Sequence, residues 1–172
     1  MHKARLPRQV EVDDTVQKSA SSQCGMSEAN PAYFGYWSKE EMLHFLKDLL
    51  ETERIGARAF AAIARAADVH VADLAFESEL AQGAICVLLK KEIAARGDAG
   101  SLRQSQNKIA AMPEPKSGLQ RTITFARCNQ TRLSVMIEEA VLNIFDSKLN
   151  AKLMYLLLLH RKQVEQLDTF LT

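Results

Sequence analysis

Apolar residues recur at intervals of three and four along four stretches of this chain, and polar, turn-forming stretches separate them. That spacing marks one face of an α-helix, at about 100° per residue. The first stretch opens at Ser38 with Glu41 three residues later, a capping box, and runs to about residue 66. Trp37, just ahead of it, is placed to staple onto Met42. A break at 67–69 offers Asp68 as the next cap, and periodicity resumes to residue 96, where Gly97 supplies a stop. The third helix is expected from about 119 to 145, and the fourth, capped by Asp146 or Ser147, nearly to the end. Residues 97–118 are turn-rich, with Ser101 and Gln104 able to open a short helix as far as Ala111. Short, long and short connections predict two antiparallel hairpins, the long connection travelling ~30–40 Å at ~1.5 Å per helical residue.

On a helical wheel each inward face carries one polar interruption. The first helix turns in Met42, Leu46, Leu49, Glu53, Ala57, Phe60 and Ala64; the fourth turns in Leu149, Leu153, Leu156, His160, Val164, Leu167 and Leu171. The second presents Val71, Ala75, Ser78, Gln82, Cys86, Leu89 and Ile93, and the third Ala126, Gln130, Ile137, Val141 and Ile144. A modest rotation of the third helix also brings Glu138 inward. A buried ionisable group costs several kcal/mol unless paired or ligated, so Glu53 and His160 are expected to meet partners inside the bundle, within a shared cluster with Gln82 and Gln130.

Composition agrees with helix and excludes several classes. The 172 residues are 47% hydrophobic and 25% charged, with only 7 Gly and 4 Pro, which is neither disordered nor collagenous. A formal charge of +1 gives no field that would draw nucleic acid or an anionic membrane. No apolar run approaches the ~20 residues needed to span a bilayer. Cys24, Cys86 and Cys128 are far apart and odd in number, so neither a disulfide framework nor a zinc clip is expected; Cys86 and Cys128 read as small inward-facing apolar residues in a reducing, cytoplasmic setting. His44 and His70 read as surface residues. The run Lys90, Lys91, Glu92 and Arg96, and the strip Arg54, Arg58 and Arg65, read as solvated helix faces. Tyr155 is a candidate association residue. No phosphate loop, nucleophile elbow or H-E-x-x-H motif is present.

The segments LLETERIGARAF around Glu53 and LLLLHRKQVEQL around His160 look similar to the first and last helices of small bacterial domains of the ferritin-like superfamily. The resemblance covers about 38–171. It implies an all-α, ferritin-like antiparallel four-helix bundle (38–172) with a long crossover between its second and third helices. The resemblance leaves the preceding stretch unexplained; its residues read as an irregular, polar extension (1–37) that ends in the aromatic cluster Tyr33, Phe34, Tyr36 and Trp37. In that family a pair of iron or manganese ions is held by a carboxylate on the first and third helices and a Glu-x-x-His pair on the second and fourth. Position by position, the first carboxylate falls on Glu53. The second-helix pair falls on Gln82 and Ile85, in the stretch QGAI; the third-helix carboxylate falls on Gln130, and the last pair on Leu157 and His160. One carboxylate and one imidazole remain where two cations need four and two.

The resemblance therefore implies a bundle that has lost its dinuclear site and holds no cofactor, acting as a structural or interaction protein that forms a homo-oligomer or meets a protein partner. The competing implication is a metal-dependent oxidoreductase with iron or manganese on a reduced site of Glu53, His160 and Glu138.

Overall fold

A computed structural model describes residues 35–97 and 118–171. Four helices account for nearly all of them: α1 (Lys39–Ala66), α2 (Val69–Ala95), α3 (Leu119–Asn143) and α4 (Ser147–Asp168), with no strand among the described residues. The protein is an all-α four-helix bundle. None of its described helices is long and apolar enough to cross a membrane. Most of the N-terminal extension, with Cys24, Tyr33 and Phe34, lies outside the described residues, as do the short helix expected at 101–111 and the crossover itself.

Three of the four helix starts are set by local side chains. Ser38 and Glu41 cap reciprocally: the Glu41 amide donates to Ser38 Oγ at 3.2 Å and the Ser38 amide donates to Glu41 Oε2 at 2.8 Å. Asp68 accepts from the Val71 amide at 3.1 Å, and Asp146 accepts from the amides of Lys148 and Leu149 at 3.0 and 3.1 Å. α2 ends before Gly97, whose φ of 93° is the left-handed region that favours glycine. α3 stops at Asn143, two residues short of the expected boundary. Asn150, in the following helix, donates to the carbonyls of Val141 and Ile144 at 3.0 and 3.3 Å, and Ile144 turns extended.

Neighbouring helices run antiparallel. The Trp37 amide, ahead of α1, donates to the carbonyl of Asn143 at the end of α3 at 2.8 Å. At the same end of the bundle, Arg96 Nη2 donates to Asp146 Oδ2 at 2.6 Å, joining the end of α2 to the start of α4. α2 and α3 therefore run in the same direction. α1 packs on α2 and on α3, and α3 packs on α4. Between α2 and α4 a groove of about 660 Å³ remains, walled by small and apolar residues such as Ala81, Ala84, Leu88, Ala151, Tyr155 and Leu159.

Two apolar clusters fill the interior. The larger gathers Leu46, Leu49, Leu89, Leu133, Ile137 and Leu153 with their neighbours, and Trp37 and Met42 both pack against it. Trp37 meets its closest aromatic partner in Phe45, ring centres 5.3 Å apart, so the expected staple reaches one helical turn deeper than Met42. The smaller, alanine-rich cluster joins Ala59, Phe60, Ile63, Ala75, Ile123, Ala126 and Leu167. Each fully buried Leu or Ile contributes about 1.5–3 kcal/mol. Along every helix the polar interruption falls between the two clusters.

The charged faces are less uniformly solvated than expected. Lys90 and Lys91 are exposed, and Arg54 and Arg58 reach Glu51 at 3.1 and 3.8 Å. Glu92 and Arg96, with side chains only 14% and 15% exposed, instead form a network in which Glu92 also meets Lys152 of α4. Burial pushes the Glu92 carboxyl up, but its hydrogen bonds to Lys152 and Arg96 outweigh that and leave it below its ordinary value.

Candidate functional site

The stripe on α1 carries Glu53, α2 carries Gln82, α3 carries Gln130 and α4 carries His160, and all four residues are fully buried, at 0% exposure. His160 joins two of the others. Its Nε2 lies 2.8 Å from Glu53 Oε1, and its Nδ1 lies 2.7 Å from Gln130 Oε1. A carbonyl oxygen against Nδ1 requires the hydrogen there, so Nδ1 donates to Gln130. Nε2 faces the carboxylate without forming an aligned hydrogen bond to it. A carboxylate and an imidazole enclosed side by side offset part of the cost that either would meet as an isolated buried charge.

Gln82 closes the layer from α2 by lying over Gly56. A Cβ added at Gly56 would stand 2.2 Å from Gln82 Oε1 and 2.9 Å from Asn129 Nδ2, so this mid-helix glycine is what lets the two amides approach α1. Asn129 Nδ2 donates to the Thr52 carbonyl at 3.3 Å, and Ser134 Oγ donates to the Gln130 carbonyl at 3.1 Å. Glu53 Oε2, Gln130 Nε2 and both amide atoms of Gln82 find no hydrogen-bond partner among the described residues.

The four residues singled out on the wheel thus lie in one layer, and Glu53, Gln130 and His160 make direct contacts. Thr52, Asn129 and Ser134 are also buried there, and Gln163 is buried a turn further along α4 beside Phe60, Ser78 and Leu167; none of the four was among the expected positions. Gly56, placed in the middle of a helix where glycine costs about 1 kcal/mol, was the available signal of a close approach from Gln82 and Asn129. Ala57 and Ala64 are only half-buried, and Gly56, Ala59 and Ile63 take the inward arc in their place.

Glu138 does not join the layer. It is exposed and pairs with Arg161 Nη2 at 2.7 Å, because Leu133, Ile137 and Ala140 hold the inward side of α3 and rotating Glu138 in would turn them out. Cys128 is likewise exposed, contrary to expectation, since Ala126, Asn129 and Gln130 occupy the interior arc. Cys86 is buried; burial first, then the nearby Glu53 charge, push its thiol up to about 11, which disfavours the reactive thiolate. His44 is largely solvated, 3.2 Å from Asp48, and His70 is exposed.

These residues do not fit a dinuclear metal centre. Among the described residues no three His, Cys, Asp or Glu side chains are grouped to share an ion. Ile85 and Leu157, where the resemblance would require a histidine and a carboxylate, are buried hydrocarbon. What fold and site define is a helical bundle with a sealed polar layer across its middle. The chain belongs to the family described as a domain of unknown function (DUF6306), whose model matches residues 40–169. No curated protein and no solved structure matches it.

Proposed function

We propose that the chain is a ferritin-like bundle in which a hydrogen-bonding layer stands where the dinuclear metal site would be, and that it serves as a structural or interaction protein, in the cytoplasm, assembling with itself or with another subunit. The observation that carries this reading is the direct 2.8 Å contact between Glu53 and His160, the layer's single carboxylate and single imidazole. Each satisfies the other's charge. Two neutral glutamines, Gln82 and Gln130, and the hydrocarbon of Leu157 stand at the three positions where further carboxylates would be required for two cations. A polar layer between apolar clusters disfavours any sliding of one helix along another, because a slip would put amides against hydrocarbon. Such a layer serves a scaffold, which needs one fixed shape to present to a partner.

The test is metal analysis of protein purified without added metal or chelator. The expected result is iron and manganese far below one equivalent; a full equivalent of either would overturn the reading.

A second reading is favoured by the unpartnered amide oxygen of Gln82 and the free Oε2 of Glu53. These two oxygens and His160 would supply a mixed oxygen and nitrogen ligand set for one iron or manganese ion, in a metal-dependent oxidoreductase with a reduced site. Glu138, paired on the outside, would not contribute. The same elemental analysis separates the two readings.

A further inference from the structure

α2 is apolar on its outer side as well as its inner one. Positions 69, 73, 76, 80, 83, 87, 90 and 94 are all exposed, and their alternating separations of four and three are those with which one helix seats along another. Phe76, Leu80 and Val87 are 54%, 59% and 52% exposed at the middle of this seam. Gly83 lies between them, with open space beyond its Cα.

We propose that this face is the contact between two copies of the chain, packed α2 against α2, antiparallel, about a two-fold axis that passes between residues 81 and 82. The proposal deepens the assembly role given above by naming the partner as a second copy. The order of residues along the seam points to that partner. In the antiparallel arrangement Asp73 of each copy meets Lys90 of the other, so two ion pairs close the ends of the contact. Phe76 meets Val87, and Leu80 lies over Gly83, a large side chain against an absent one. Val69 meets Ala94 beyond the ion pairs. A parallel pairing would instead set Asp73 against Asp73 and Lys90 against Lys90. Charge and bulk are both complementary to the reversed copy of the same sequence, as a two-fold interface requires.

The size suits a dimer that dissociates on dilution. The exposed parts of Val69, Phe76, Leu80 and Val87 amount to roughly 400 Å² of apolar surface, as much as the largest patch on many monomers and about half of the ~800 Å² that each partner contributes to a standard interface. Polar rims and the aliphatic stems of the lysines supply the remainder.

The experiment is sedimentation velocity of the full chain across a dilution series, with charge-reversed variants. The unaltered chain is expected to dimerise and to dissociate on dilution. Asp73→Lys and Lys90→Asp each place two like-charged pairs across the two-fold axis and should weaken the dimer by more than about tenfold. The double exchange Asp73→Lys with Lys90→Asp should restore it. Both positions are exposed, so the far-ultraviolet circular dichroism of all three variants should match the parent and exclude misfolding as the cause. A chain that stays monomeric at the highest concentration overturns the proposal. So does a dimer indifferent to the reversals, which would assign the contact to another face. Neither result depends on metal content, so the inference and the reading beneath it fail separately.

Discussion

His160 reaches Glu53 with one ring nitrogen and Gln130 with the other, so it holds the charge balance of the interior. His160→Leu removes the imidazole that faces a fully buried carboxylate and should cost about 3–5 kcal/mol in urea denaturation. Glu53→Leu should cost a similar amount. The double variant, with no charge left to strand, should recover about 1–3 kcal/mol relative to the sum of the two, the mark of a coupled pair. Strict additivity would show that the two side chains act independently. Gly56→Ala offers the layer a different challenge. Alanine gains about 1 kcal/mol in helix propensity, yet its Cβ would press on Gln82 and Asn129 in a closed space. We expect a net loss of about 1–3 kcal/mol by the same measurement.

The wheel found Glu53, Gln82, Gln130 and His160 because each interrupts an apolar stripe. It missed Asn129 and Gln163 because a helix at the centre of a bundle buries an arc wider than one stripe: Asn129 lies about 100° around α3 from Gln130, and Gln163 about 60° around α4 from His160. Cys128 and Glu138 show the converse error. Each stands close in sequence to an inward residue, but the neighbouring positions already fill the available arc.

Among the helices, legibility followed the reach of the signal. Ser38 with Glu41, Asp68 and Asp146 act within three residues of themselves, so three starts could be read directly. The end of α3 is set by Asn150, a side chain of the next helix, and no residue inside α3 announces it. The tie between Arg96 and Asp146 joins groups fifty residues apart and was equally hidden. This tie carries a pH dependence of definite sign. Burial raises the Asp146 carboxyl, but the Leu149 amide and Arg96 outweigh it, and Glu92 is lowered in the same way by Lys152 and Arg96. A folded-state value below the unfolded one means that the unfolded chain binds more protons. The stabilisation is therefore present above the ordinary carboxylate range near pH ~4 and lost as pH falls through the lower folded values. Arg96→Gln should cost of the order of 1 kcal/mol at neutral pH. The gap from the parent should close on acidification, read from urea midpoints at a series of pH values.

For the whole molecule, the all-α class and the four-helix architecture followed from periodicity and connection length. The open α2 to α4 groove did not, because Ala81, Ala84 and Ala151 look as suited to tight packing as to a gap. Nor did the inequality of the two apolar clusters on either side of the polar layer. At the end holding the larger cluster, the carbonyls of Val141, Asn143 and Ile144 are all claimed by groups outside α3, and Trp37 and Phe45 lie against the same region. The opposite end relies on the alanine-rich cluster and on a partly exposed pair between Arg127 and Asp168.

Breathing of the bundle consequently has a direction. Amide hydrogens near 59–63 of α1 should trade with deuterium well before those near 46–50 of the same helix, in native-state exchange followed by mass spectrometry. The single bond from the Trp37 amide to Asn143 acts in that picture as a latch: the chain enters its first helix already fastened to the end of its third, and opening proceeds from the far side.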